Sequence, residues 1–234
     1  MTISPRWLKI FRDFTSDRGR TVLMVVAISV GIFGVSTILS AYSILIREVE
    51  KSYMDTNPAS ATIDVGEVTD DMLTIARNFP DIADVEARTV SHSRVKVGDD
   101  WYRLLIFVVD DFDKMRLNTF RRVSGAWPPP TGTMLVEQTA LPVLKQAQGG
   151  SALVKTPHGK PVEVKITGVV HDATLAPAWQ EQAAYGYMTR ETFAALGEPS
   201  GLEEIRIQLS GNPDNIRLVE STALALANKL RAAG

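Results

Sequence analysis

From Thr21 to Ile46 the chain carries no charged side chain. Wound as a helix, that run reaches about 39 Å at 1.5 Å per residue, enough to cross a hydrocarbon core of about 30 Å with some tilt. A buried helix of a water-soluble domain rarely needs so long an uninterrupted apolar run. A cleaved signal peptide has an apolar region of roughly 7–15 residues followed by a small-x-small site. Here the run is longer and is followed by Arg47 and Glu48. The stretch 21–46 is therefore read as a transmembrane helix, and every other segment is placed relative to it.

The flanks orient that helix. Arg6, Lys9, Arg12, Arg18 and Arg20 precede it, whereas Arg47 and Lys51 beyond it are mixed with Glu48, Glu50 and Asp55. By the positive-inside rule the N-terminus is expected in the cytoplasm and everything after Ile46 outside it. Within the basic lead, Trp7, Leu8, Ile10, Phe11 and Phe14 fall on one side of a helix, opposite Arg6, Lys9, Arg12 and Asp13. Residues 1–20 thus read as an amphipathic segment suited to the headgroup plane. Inside the span, Ala27, Gly31 and Gly34 share a helix face on which another helix can approach closely.

Composition matters once the span is set aside. Roughly 185 residues remain after Ile46, enough for one or two small domains with their own core. The net charge of −2 leaves no basic footprint for nucleic acid. With no cysteine in the chain, disulfides, thiolate metal sites and thiol nucleophiles are excluded.

Beyond the span, 47–55 can continue the helix until Asn57-Pro58 stops it. Residues 61–65 alternate as a half-buried strand. Thr69 offers a cap for a helix with Met72, Ile75, Ala76 and Phe79 on one face, ended by Pro80. Val85–Val97 reads as a strand broken by polar residues, and Trp101–Val109 as a strand buried on both faces, joined by a Gly98-Asp99-Asp100 turn. Residues 124–132, with Pro128-Pro129-Pro130, are expected to be irregular. A strand over 134–137, a helix over 139–148, and a hairpin of 151–155 with 161–170 follow. Next come a loop over 173–181, a strand over 184–188 and a short helix over 190–196. Ile205–Leu209 alternates cleanly, and a helix capped by Asn212 with Pro213 in its first turn repeats Ile216, Val219, Ala223, Leu226 and Leu230. This order predicts an α+β fold: a single N-terminal transmembrane helix, then a split βαβ extracytoplasmic domain with an inserted β-rich subdomain. The boundaries expected are 47–112 with 200–234 for the core and 113–199 for the insertion.

Catalytic signals are sparse. His92, His158 and His171 fall in three different elements without ligand-spaced companions, so no metal site is expected. Asp110, Asp111 and Asp113 follow a buried strand, where catalytic carboxylates can sit and where solvated turns also occur. Neither a P-loop nor a Gly-x-Ser-x-Gly elbow is present. Trp179 is a candidate exposed contact for a partner, or else packs on its own subdomain.

The basic amphipathic lead, Asp17-Arg18-Gly19-Arg20-Thr21-Val22-Leu23 entering a glycine-containing span, Phe79-Pro80-Asp81-Ile82-Ala83-Asp84-Val85, Thr167-Gly168-Val169-Val170 and Tyr185-Gly186-Tyr187-Met188-Thr189-Arg190-Glu191-Thr192 together resemble the N-terminal part of MacB-like (FtsX/LolC-type) ABC transporter permeases. The resemblance covers the first membrane helix and the periplasmic core domain, over nearly the whole chain. It implies an inner-membrane permease subunit, not an enzyme and without cofactors, that works with a separate ABC ATPase subunit and a second permease subunit. Trp7, Leu8, Ile10, Phe11 and Phe14 would then couple to the ATPase, and Ala27, Gly31 and Gly34 would pack against other membrane helices. Such permeases continue with three more membrane helices, which this sequence lacks. The resemblance therefore implies a fragment, a split gene product, or helices supplied by another polypeptide. The alternative is a single-pass sensor or scaffold whose outer domain binds a protein or peptide.

Overall fold

The computed structural model describes residues 18–211 and 215–233, in two compact units divided after Lys51. The described part of the first is α1 (Arg18–Met54), 37 residues of continuous helix whose last three residues fall in the second unit. It outruns the apolar stretch, continuing through Arg47–Met54 as the sequence suggested. None of its residues is buried, and Leu23, Phe33 and Ile38 are each at least 70% exposed. Such a face is costly in water, at about 25 cal/mol per Å² of apolar surface, and costs nothing in lipid. By length and composition α1 can cross a membrane. The five apolar residues of the amphipathic segment, Trp7 to Phe14, lie outside the described residues.

The second unit contains, in order, β1 (Ala61–Asp64), α2 (Asp70–Arg77), β2 (Ile82–Val97), β3 (Asp100–Val109), β4 (Arg121–Gly125) and β5 (Thr133–Glu137). After these come α3 (Ala140–Leu144), β6 (Ser151–Lys155), β7 (Val162–His171), α4 (Ala178–Glu181), β8 (Ala183–Thr189), α5 (Arg190–Ala195), β9 (Glu204–Leu209) and α6 (Ile216–Ala233). Strand β9 lies between β1 and the first half of β2 and is antiparallel to both. β1, α2 and β2 are thus the split βαβ unit predicted. Thr69 caps α2 by accepting from Met72 N at 3.2 Å, with Asp70 and Asp71 at the positive end of the helix. On one side of this sheet Ile63, Ala76, Val85, Ile205, Ile207, Leu226 and Leu230 form a core shared by α2 and α6. The expected cap at Asn212 and proline at 213 fall outside the described residues. Asn215 does the capping among those described, its Oδ1 accepting from Leu218 N at 3.3 Å.

Halfway along, β2 changes partners. Its residues from Thr89 onward pair with β3, and Arg94–Lys96 pair with β6 on the other edge. β3 continues to β8, β8 to β5, β5 to β7, and β7 returns to β6. The pairings therefore close a ring of six strands, with β4 added on β7. Closure removes free edges. Leu104, Ile106, Met134, Leu135, Ile166 and Tyr187 fill the interior and are fully buried. The apolar run of β3 is buried on both faces from Leu104, apart from half-buried Leu105, because strands flank it and helices cover it.

Three local readings differ. The helix expected over 139–148 is only α3, because Gly149 N and Gly150 O are taken by Ile166 at 2.8 Å each, pulling the chain back into the sheet. Residues 124 and 125, the start of the stretch expected to be irregular, instead end strand β4. There Gly125, at φ +85, passes so close to β7 that a Cβ would lie 2.3 Å from Thr167 O. The loop over 173–181 contains the single turn of α4.

Candidate coupling junction

Where α1 ends, the chain is tied down at once. Tyr53 O accepts from Thr56 N at 3.1 Å and Met54 O from Asn57 N at 3.0 Å, closing the helix. Asn57 takes a left-handed conformation, φ +51, which asparagine tolerates better than most residues, and Pro58 cannot resume the helix. The segment Thr56–Ala59 then pairs with a loop 60 residues away. Thr119 N donates to Thr56 O at 2.7 Å, Asn118 N to Asn57 O at 2.9 Å, and Asn57 Nδ2 to Arg116 O at 2.7 Å. Ala59 N donates to Asn118 Oδ1 at 3.2 Å. On its other side Asn57 Oδ1 accepts from Gln208 Nε2 of β9, and Leu209 N donates to Ser60 Oγ at 3.1 Å.

The loop 116–119 is held in turn by two charged residues of β2. Glu86 Oε2 accepts from Arg116 N at 2.7 Å and Leu117 N at 3.0 Å. Arg88, 1% exposed, donates to Leu117 O at 2.8 Å and Asn118 O at 3.2 Å, and through Nε and a terminal nitrogen to Glu86 Oε1 at 3.0 and 2.9 Å. A buried guanidinium is tolerated because four bonds replace its water. Arg116 clamps Asp84 from outside, Nε to Oδ2 at 2.8 Å, and that hydrogen bond raises the arginine's pKa.

Arg88 also borders a cavity of about 250 Å³ with Tyr53, Asn118, Asp172 and Arg206. Burial, then the like charge of Arg88, lowers the pKa of Arg206, and its buried Nε has no hydrogen-bond partner. Chemically, the junction has no nucleophile with an adjacent base. Its directional bonds tie Thr56–Ser60, the segment that follows α1, to β9 and to the 116–119 loop.

The residues singled out from sequence are not gathered here. On α1, Ala27 and Gly31 are exposed and Gly34 is half-buried, and a Cβ on either glycine would meet nothing within 4 Å. Trp179 on α4 is 68% exposed while Ala178 beside it is buried. Asp110 and Asp111, but not Asp113, line a charged cleft of about 600 Å³ between α2 and Arg190. Each is engaged: Asp110 with Arg190 at 2.9 Å, Asp111 with Lys114 at 2.9 Å, and Asp113 with Trp127 Nε1 at 3.0 Å. The Lys114 hydrogen bond holds the Asp111 pKa below its usual value.

His92 is exposed on β2. His158 binds Glu198 at 2.8 Å, and His171 reaches Glu137 at 3.4 Å. Among the described residues no group of histidine and carboxylate side chains can hold a metal ion. Sequence reasoning missed Glu86 and Arg88. Their one trace was the polar interruption of a strand otherwise read as apolar.

No protein-family model matches the chain, and no curated protein matches it. Among solved structures it is similar to the extracellular domain of the noncanonic ABC-type transporter YknZ from Gram-positive bacteria, at 11% identity and a TM-score of 0.46, over 73% of this chain and 93% of that one. The periplasmic region of MacB from Actinobacillus actinomycetemcomitans aligns at 15% identity and a TM-score of 0.41, over 72% and 83%. A domain of a protein described as a permease, from Porphyromonas gingivalis, aligns at 13% identity and a TM-score of 0.40, over 71% and 77%.

Proposed function

We propose that this chain is a permease component of an ABC transporter of the MacB-like (FtsX/LolC-type) kind, linking a cytoplasmic ATPase cycle to an extracytoplasmic domain. The observation that carries this reading is a membrane-length apolar helix, α1, followed directly by a segment, Thr56–Ala59, that is hydrogen-bonded into a split βαβ domain. A mere anchor needs only a flexible tether. In this reading movement enters the domain at Thr56–Ala59, which pairs with the 116–119 loop that Glu86 and Arg88 hold.

In this reading residues 1–20 lie on the cytoplasmic face, where Trp7, Leu8, Ile10, Phe11 and Phe14 contact a separate ATPase subunit. Ala27, Gly31 and Gly34 pack against a second permease subunit or further membrane helices. Residues 47–112 with 200–234 form the porter-like core and 113–199 the β-rich insertion, with β2 and β3 as their common wall. Trp179 is a partner contact. The chain has no catalytic step and no cofactor of its own, and exports, handles lipoproteins or transmits force according to its partners.

Affinity purification of the full chain from membranes tests the reading. A P-loop ATPase should co-purify, and replacing Trp7, Phe11 and Phe14 by glutamate should reduce its yield at least about tenfold, since a few buried aromatic anchors dominate such interfaces. Retention of the ATPase by that variant, or its absence from the parent preparation, would refute the coupling role and favour a single-pass sensor or scaffold.

A further inference from the structure

The outer face of the six-stranded ring carries an arrangement that folding alone does not favour. Arg103 of β3 is directly opposite Arg94 of β2, and Arg94 is directly opposite Lys155 of β6. Three exposed cations thus stand in one row across three adjacent strands. Directly opposed pairs on a sheet have Cβ atoms about 4.5–5.5 Å apart, and like charges there are destabilising. The next row along the same face reads Trp101, Lys96, Leu153, Glu163, and Lys165 stands opposite Ser151 beyond it.

Glu163 is the one carboxylate in these registered rows, against five cations, in a chain whose net charge is −2. Among the described residues none of the five cations makes an ion pair. Beside the charges lie two apolar side chains, Trp101 at 39% exposure and Leu153 half-buried.

The spacing selects the shape of a complement. Carboxylates three or four residues apart on a helix have Cβ atoms about 5–6 Å apart, close to the cross-strand spacing, whereas same-face residues of an extended strand stand about 6.6 Å apart. The apolar component separates an acidic protein from a bilayer. A face that enters lipid projects its apolar groups beyond its charges. Here Leu153 is half-buried and Trp101 is 39% exposed, while the cations beside them are exposed. We propose that this face docks an acidic amphipathic helix of a partner protein, its carboxylates over Arg103, Arg94 and Lys155 and its apolar edge on Trp101 and Leu153. The proposal stands whether or not the transporter reading does.

The test uses the full chain in nanodiscs of zwitterionic lipid. The probe is a synthetic helical peptide of about 18 residues with glutamate at every fourth position and leucine on one flank; the control has glutamine in place of glutamate. The glutamate peptide should bind in a salt-sensitive way and the glutamine peptide at least about tenfold more weakly. The triple variant R94Q/R103Q/K155Q should lose at least about tenfold in affinity for the glutamate peptide, and W101A about fivefold. The thermal midpoint of the triple variant should be equal to or above that of the parent, which separates lost binding from lost fold. Equal binding of the two peptides, or a triple variant that binds like the parent, would overturn the proposal. So would phosphatidylglycerol vesicles that bind more tightly than the peptide through the same three residues, since the occupant would then be a membrane.

Discussion

Replacing Arg88 with methionine removes the charged member of the junction while keeping much of its buried volume. Three acceptors then lose their donor: Leu117 O, Asn118 O and Glu86 Oε1. Glu86, whose side chain is 15% exposed, retains the two amide donors to its other oxygen but loses its ion-pair partner, leaving only the more distant charges of Arg116 and Arg206. Removing one partner of such a pair costs about 3–5 kcal/mol, and the two orphaned carbonyls fall within the same range. We take about 4 kcal/mol, which for a domain of this size lowers the melting midpoint by about 10 °C.

Urea unfolding of the full chain in mild detergent, followed by tryptophan fluorescence, measures this directly. Amide hydrogen exchange localises it, because Asn118 and Thr119 should lose protection before the β1–β9 ladder does. The double variant E86Q/R88M discriminates further. Neutralising the orphaned carboxylate should recover about 1–3 kcal/mol relative to R88M alone. An R88M protein within about 1 kcal/mol of the parent, or a double variant less stable than the single one, would refute the view that Arg88 and Glu86 hold the junction.

Two further tests bear on the ring. His158 in the β6–β7 turn is held to Glu198, whose hydrogen bond raises the histidine's pKa, followed by its charge. Burial raises the Glu198 pKa, but hydrogen bonds from His158 and Thr156 outweigh it and leave it below its usual value. A raised histidine pKa contributes stability fully present below 6.5, its ordinary value, and lost as pH rises through the folded value. A lowered carboxylate pKa contributes stability present above its ordinary value of 4.5 and lost as pH falls through the folded one. The clasp should therefore be tightest between pH 4.5 and 6.5, and E198Q should bring the His158 pKa, read by NMR titration, down towards 6.5. At Gly125, alanine would meet both an unfavourable φ and a backbone oxygen at 2.3 Å. Its cost should be about 2 kcal/mol or more in the same urea assay, and a variant as stable as the parent would show that β4 is not held against β7.

Elements whose signal is periodic and local were legible without coordinates. The alternation of Ile205–Leu209, the apolar run of Leu104–Val109, the Thr69 cap and the repeating face of Leu226 and Leu230 all lie where the pattern put them. The split βαβ arrangement followed from element order, because a strand and helix returning late in the chain have few other places to go.

Ring closure was not legible, since it depends on β2 exchanging β9 for β6 at mid-strand, and pairing partners leave no mark on composition. The α3 helix was overextended because the hydrogen bonds of Gly149 and Gly150 to Ile166 outcompete local propensity. At the junction, Asn57-Pro58 announced the end of the helix. The network beyond it joins residues 29 to 151 positions apart, a range over which no spacing rule operates.

The position of β9 also governs how this domain reaches its fold. The central strand of the split βαβ unit is also its last, and Ser60 waits for Leu209 across 149 residues. Until β9 is present, β1 has no partner, the first half of β2 has an open edge, and Ile63 and Val85 have no strand between them to complete their core. Contacts of such sequence separation place a fold among the slow ones, assembling in milliseconds to seconds. The pairings of the ring all lie within residues 89–189, but the β1–β9–β2 sheet cannot close until residues beyond 204 have arrived. Throughout synthesis the β1–β2 half remains an unpaired strand edge, and that edge is where a chaperone would be most needed.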